Sequence, residues 1–255
     1  MNILTLYKPR GMTPLQAVNH LKVLRPELKD EKISYAGRLD PMAQGLLILL
    51  IGDENKKRHE FEDLDKTYEF TILFGAETDT YDVLGRITGV KKIPDNVEQK
   101  LKDILPNFTG KRIQEYPPYS SQTIDGKPMY FLARNNLLAG KLIPTKEIEI
   151  KELTFLSNET LPASELIGKI IRDISLVQGD FRQDVITKDW EVILKNSARE
   201  NFTLVSLRAT ATSGTYIRSL AHEIGRALST SALAYSIIRT RVGDQTINKA
   251  LRLTL

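Results

Sequence analysis

The chain has no cysteine, one tryptophan and three histidines. Without thiols it has no disulfides, no thiolate nucleophile and no sulfur-ligated metal centre. His20, His59 and His222 show no ligand spacing, so a zinc hydrolase finds no footing. Long apolar runs are missing too. The longest, Leu46 to Ile51, is far too short to span a bilayer. The N-terminal stretch MNILTLYKPRGM lacks the apolar stretch of a signal peptide. No internal repeat or low-complexity segment stands out. These absences predict a soluble, cytoplasmic protein with no membrane association.

The 255 residues suffice for one large domain or two small ones, and a 41% hydrophobic fraction allows a substantial core. The net charge of +4 suits a polyanionic partner without identifying one. The segment GDENKKRHEFEDLDK, 52–66, is dense in both signs and reads as a solvated surface stretch.

Thr13-Pro14 opens a helix, with threonine as N-cap and proline at the first helical position. Val18, Leu21 and Leu24 form its apolar face and Pro26 stops it. LLILLI, closed by Gly52, reads as a strand buried on both faces. Tyr68, Phe70, Ile72 and Phe74 alternate as on a two-faced strand. Val97, Leu101, Ile104 and Leu105 fit a helix that ends at Pro106. The stretch from Phe202 to Ala209 reads as a strand of open register, and Ile217, Leu220, Ala221, Ile224 and Leu228 follow at helical spacing. Helices and strands are interspersed without strict alternation, which predicts an α+β fold around a mixed central sheet.

The segment YAGRLDPMAQGLL, 35–47, carries the candidate chemistry. Asp40 precedes Pro41, which pushes it toward an extended or turn conformation, and Gly37 and Gly45 bracket it with permissive backbone. A carboxylate on a tight loop against a rigid buried strand is well mounted for catalysis. A purely structural turn is the commoner use of an Asp-Pro pair.

GRLDPMAQGLL resembles the glycine-x-leucine-aspartate-proline-x-alanine-x-glycine signature of the TruB family of tRNA pseudouridine synthases. The resemblance continues in order. Lys8 to Thr13, KPRGMT, is similar to that family's KPxGxT element, and Lys66-Thr67-Tyr68 to its lysine-x-tyrosine strand. Thr78 to Asp82 with Gly85 resembles its TDTxDxxG turn. Gln114 to Arg134 resembles its proline-tyrosine-serine loop with a trailing YxxAR, and SGTYIR, ending at Arg218, its late arginine motif.

The resemblance implies a largely antiparallel sheet flanked by helices and loops, with a central RNA-binding cleft. It implies isomerisation of a uridine to pseudouridine by base flipping, at uridine 55 in the T-loop of tRNA, with no cofactor and no metal. Asp40 falls on the essential aspartate. Whether such a carboxylate attacks the sugar, attacks the base or removes a sugar proton stays open. Arg218 falls on an active-site arginine, ideally a bidentate partner that fixes the carboxylate; by residue type alone it reads as a surface ion pair. Tyr68, otherwise an ordinary core tyrosine, falls on the residue that stacks on the target base and relays a proton. Lys66 shares its face, Tyr119 lies in the substrate-binding loop, and Ile237 takes a pocket-wall position.

The chain departs from the family at Tyr35 and Ala36, where histidine-threonine is usual, and at Thr123, Tyr116 and Pro14. Two readings of Tyr35 stay open: it opens the folded T-loop by stacking, or it marks an altered choice of substrate. Residues 1–255 are expected to form the catalytic domain alone, without the C-terminal PUA-type domain, as a monomer with no obligate protein partner. The rival readings are an RNA-folding chaperone without chemistry, a synthase acting on another RNA, and a catalytic subunit guided by partner proteins and RNA.

Overall fold

The computed structural model describes residues 2–196 and 201–253. Strand β1 (Ile3–Lys8) leads into α1 (Pro14–Leu24). The predicted start of α1 is a full capping box: the Thr13 hydroxyl accepts from the Gln16 amide, and the Gln16 side chain accepts from the Thr13 amide. Then come β2 (Ile33–Ala36), β3 (Ala43–Ile51), the short helix α2 (Arg58–Glu62) and β4 (Lys66–Phe74). A small hairpin, β5 (Ala76–Thr78) and β6 (Ile87–Val90), precedes α3 (Val97–Ile104), β7 (Gly110–Glu115), the two-residue strands β8 (Thr123–Ile124) and β9 (Lys127–Pro128), and α4 (Met129–Arg134). The long β10 (Thr145–Pro162) runs into a helical hairpin, α5 (Ala163–Ser175) and α6 (Gln183–Asn196). The chain returns as β11 (Asn201–Ala211), α7 (Ile217–Ala227), β12 (Ala232–Val242), β13 (Gln245–Thr246) and β14 (Leu251–Arg252).

The central sheet runs in the order β14-β1-β3-β12-β4-β11-β10-β7. β1–β14 and β12–β3 are parallel and the other pairs along it antiparallel, so the expected mixed, largely antiparallel α+β architecture is present. The LLILLI strand is buried on both sides as its composition demanded. Leu47 and Leu49 pack with Leu6 and Val18 on one side, Leu46, Ile48 and Leu50 with Val242 on the other. The open register of β11 has a simple reason. Phe202 and Leu204 belong to one apolar cluster, and Val205, Leu207 and Ala209 to another, so its two ends feed different cores. Among the described residues no helix is long and apolar enough to cross a membrane.

Two glycines are dictated by close approach. A Cβ on Gly45 (φ +111°) would meet the Arg239 carbonyl oxygen at 2.3 Å, and one on Gly11 (φ +89°) would meet the Leu176 carbonyl oxygen at 2.5 Å. The first lets β12 lie against the start of β3. The second lets α5 close on the KPRG loop.

Candidate active site

A cleft of about 530 Å³ opens beside the loop between β2 and β3. Asp40 and Arg218 lie in its wall, together with Tyr35, Leu39, Asp82, Tyr119 and Tyr216. Residues from distant parts of the sequence meet here because β3, β4 and β12 are neighbours in the sheet.

Arg218 stands in the first turn of α7 and its side chain is 3% exposed. Its Nε donates to Asp40 Oδ2 at 2.7 Å. The expected bidentate pair is absent, because the fork has other acceptors. Nη1 donates to the Thr80 carbonyl at 2.6 Å and Nη2 to the Tyr119 carbonyl at 3.2 Å. One buried cation thus aligns one carboxylate and two loops. The Asp40 side chain is 39% exposed, so its charge faces the cleft with one edge fixed.

The Asp40 loop is held from below by two more buried cations. Arg239 of β12, 1% exposed, donates to the carbonyls of Leu46 (2.7 Å), Gly37 (3.1 Å) and Arg38 (3.3 Å). Lys8, fully buried, donates to the carbonyls of Met12 (2.5 Å), Pro9 (3.0 Å) and Pro41 (3.5 Å). Burial pushes the Lys8 ammonium down to about 7, against the pull of Asp40, with Arg239 and Arg10 adding to the fall. The Gly11 amide donates to the Pro41 carbonyl at 2.9 Å and completes the clamp. Carbonyl acceptors suit this task, since they fix the backbone and leave the carboxylate free.

A second carboxylate, Asp82, lies 3.9 Å from Arg218 Nε. Burial pushes it up to about 6; Arg218 opposes this and Asp40 adds to it. Its Oδ1 accepts from the Thr80 hydroxyl (2.7 Å) and the Leu84 amide (2.9 Å). Two phenols complete the rim. Burial first, and then a neighbouring carboxylate, pushes Tyr216 and Tyr119 up to about 12, so both remain hydroxyl donors at neutral pH. Tyr216 meets Tyr116 edge-on at 5.5 Å, which gives the departure at Tyr116 a packing role.

The structure therefore brings together Asp40, Arg218, Tyr35 and Tyr119. Tyr68, Lys66 and Ile237 do not line the cleft. Tyr68 is 9% exposed and shares an apolar cluster with Leu39, which does line it. Ile237 belongs to the same cluster. Lys66 is buried and donates to the carbonyls of Glu62 and Leu64, and burial pushes it down to about 8. Residue-type reasoning missed Asp82, Lys8 and Arg239. All three lie within or beside quoted motifs, the TDTxD turn, the KPxGxT element and the segment after Ile237, but no role was attached to them. It also missed the far wall of the cleft, made by Asp180, Phe181 and Arg182 between α5 and α6.

The family model described as "TruB family pseudouridylate synthase (N terminal domain)" matches residues 25–166. The chain belongs to this family, and is therefore an enzyme that isomerises uridine. A protein named tRNA pseudouridine synthase B from Aquifex aeolicus is 31% identical over 250 residues, spanning 98% of this chain and 71% of that protein. The one from Bacteroides thetaiotaomicron is 30% identical over 252 residues, spanning 98% of this chain and 88% of its own length. The Psychrobacter cryohalolentis protein of the same name is 30% identical, and the chain spans only 58% of it. Among solved structures, the archaeal box H/ACA sRNP Nop10–Cbf5 complex aligns with a TM-score of 0.56 at 18% identity, covering 98% of this chain and 51% of that one. An H/ACA RNP bound to a substrate RNA containing 2'-deoxyuridine aligns with a TM-score of 0.57, also at 18% identity, covering 98% of this chain and 50% of that one. These two establish the shared fold.

Proposed function

We propose that the chain isomerises a uridine of tRNA to pseudouridine, at uridine 55 in the T-loop, with Asp40 as the essential carboxylate. The names of the relatives support tRNA as the substrate class. The observation that carries the role of Asp40 is its pairing with the buried Arg218 in the wall of a cleft. A carboxylate with one edge fixed and the other side open can reach a flipped nucleotide. The charge it presents is balanced from behind by a guanidinium already in place before the sugar–base bond breaks. On this reading Tyr35 and Tyr119 offer the flipped nucleotide aromatic faces and Tyr216 offers it a hydroxyl donor, the Tyr119 hydroxyl being given to Asp79. On this reading the work is done in the cytoplasm.

Tritium release from tRNA labelled at C5 of uridine tests this. Asp40→Asn keeps the shape and removes the charge, so release should fall below detection while tRNA binding changes little. Release near that of the unaltered chain rejects Asp40. The same assay tests Tyr68 as the stacking residue, a role that requires the bound nucleotide to reach past the cleft wall at Leu39, with which Tyr68 shares an apolar cluster. Tyr68→Leu should lower turnover strongly, because a stacked base is worth roughly 1–3 kcal/mol. Tyr68→Phe should slow only the loss of the C5 proton, visible as a deuterium isotope effect at C5. Normal turnover in both variants returns Tyr68 to the core.

A further inference from the structure

Arg182 stands outside the Asp40–Arg218 pair yet joins the two loops that hold it. Its Nη1 donates to Asp79 Oδ2 at 2.7 Å and its Nη2 to Asp79 Oδ1 at 3.2 Å. Its guanidinium carbon lies 4.6 Å from the centre of the Tyr119 ring, and the Tyr119 hydroxyl donates to Asp79 Oδ2 at 3.1 Å. The carbonyls that fix Arg218 belong to Thr80, next to Asp79, and to Tyr119 itself. Arg182 therefore ties together, from the far side, the same two loops that Arg218 bridges from the active-site side.

The mounting of Arg182 is built for this. Its backbone is left-handed, with φ +67°, a conformation that a side-chain-bearing residue keeps only where its surroundings enforce it. The enforcement is visible. The Gln183 side-chain amide donates to the carbonyls of Gly179 (2.7 Å) and Val177 (3.0 Å), while its carbonyl oxygen accepts from the Phe181 amide (2.8 Å). Behind it, Trp190 of α6 is fully buried and its indole N–H donates to the Val83 carbonyl at 3.0 Å. The helical hairpin is thus anchored on the same turn that carries Thr80 and Asp82.

We propose that Arg182 is a positioning residue. By clamping Asp79 to Tyr119, it holds the Thr80 and Tyr119 carbonyls where Arg218 needs them, and through Arg218 it sets the geometry of Asp40. The kinetic consequence rests on the function proposed above; the structural one does not. Arg182→Gln should lower kcat on tRNA about tenfold, in the range expected when a catalytic pair is slightly displaced. KM should stay within about twofold, since uniform binding is untouched. Arg182→Lys, which keeps a cation for Asp79, should recover part of the loss. A raised KM with unchanged kcat would make Arg182 a contact to RNA phosphate and overturn the proposal, as would unchanged values of both.

A second measurement needs no substrate. The Arg218 Nε–H resonance, assigned by its disappearance in Arg218→Lys, should exchange slowly with solvent in the unaltered chain and about tenfold faster or more in Arg182→Gln. Equal exchange rates would sink the proposal even if activity fell. Should the unaltered chain turn over no tRNA, the proposed function fails, and the exchange experiment still decides the role of Arg182.

Discussion

The two walls of the cleft are held by different physics. The wall that carries Asp40 is fixed by buried cations. Arg239, Lys8 and Arg218 each donate to backbone carbonyls, and each is nearly inaccessible to water. The opposite wall, the tip of the α5–α6 hairpin, is anchored by apolar side chains. Leu166, Ile170, Ile174 and Trp190 form its base, while its tip is fastened by side-chain ion pairs, the mostly buried Arg182–Asp79 and the exposed Arg134–Asp180. Charge-assisted bonds to buried carbonyls fix atoms to fractions of an ångström, whereas exposed pairs are weak and can yield. The comparison teaches that the reacting side is pinned through its backbone carbonyls and the facing side through side-chain pairs, of which only the exposed Arg134–Asp180 is free to yield.

The largest expected effect comes from breaking the rigid wall. Arg239→Leu leaves buried carbonyls of Leu46, Gly37 and Arg38 without a donor, and should destabilise the chain by about 3–5 kcal/mol. Chemical denaturation measures this; a loss well below 1 kcal/mol would mean that those carbonyls find other partners. A smaller loss is expected on the facing side. Trp190→Phe keeps an aromatic ring and orphans one carbonyl, that of Val83, so about 1–3 kcal/mol should go, with activity lost only as Arg182 loosens. If Trp190→Phe proves as damaging as Arg239→Leu, the contrast between the walls is wrong.

The smallest effect sharpens the comparison within the rigid wall. Asp82 is pushed up to about 6 by burial, so protonation removes its charge from beside Arg218 as the pH falls through that value. Its ionised form is the one disfavoured by folding, so protonation itself relieves the fold, and the loss should be of rate rather than of stability. Between pH 7 and pH 5 kcat should drop about tenfold, following the ionised fraction. Asp82→Asn should remove that limb and sit near the low-pH rate throughout. An unchanged profile in Asp82→Asn would assign the limb elsewhere.

Legibility in the sequence followed the same division. The loop around Asp40 could be read because its constraints are written in residue types: proline after the aspartate, glycines at 37 and 45, and an unbroken apolar strand behind. The N-cap of α1 at Thr13 was equally visible, although the capping box it forms with Gln16 was not noted. Arg218 was found through SGTYIR, and its pairing with Asp40 holds, although its fork divides among three acceptors. The supports were not legible. Arg239 and Lys8 act on carbonyl oxygens, which every residue carries, so the sequence bears no trace of their partners. The hairpin from Ala163 to Asn196 was overlooked for another reason. Leu166, Ile170 and Ile174 have plain helical spacing, but nothing in GDFRQD announces that its arginine faces a cleft built from residues some hundred positions earlier. Tyr68 is the reverse case: an alternating strand placed it correctly in the sheet, and the sheet placed it behind the cleft wall.

The bond from Arg239 to the Leu46 carbonyl spans 193 positions of chain, and β12 lies parallel to β3 through Ile237 and Ala43. During synthesis the chain emerges from its N-terminus, so Asp40, Asp82 and Arg218 are all available before the strand that clamps the aspartate loop. A nascent chain ending near residue 230 would possess every group of the reacting pair and none of the support from β12. Pairings this distant in sequence form late and slowly. The aspartate loop therefore gains its support from β12 only after every group of the reacting pair has been made, so the pair can be complete in sequence before it is fixed in space.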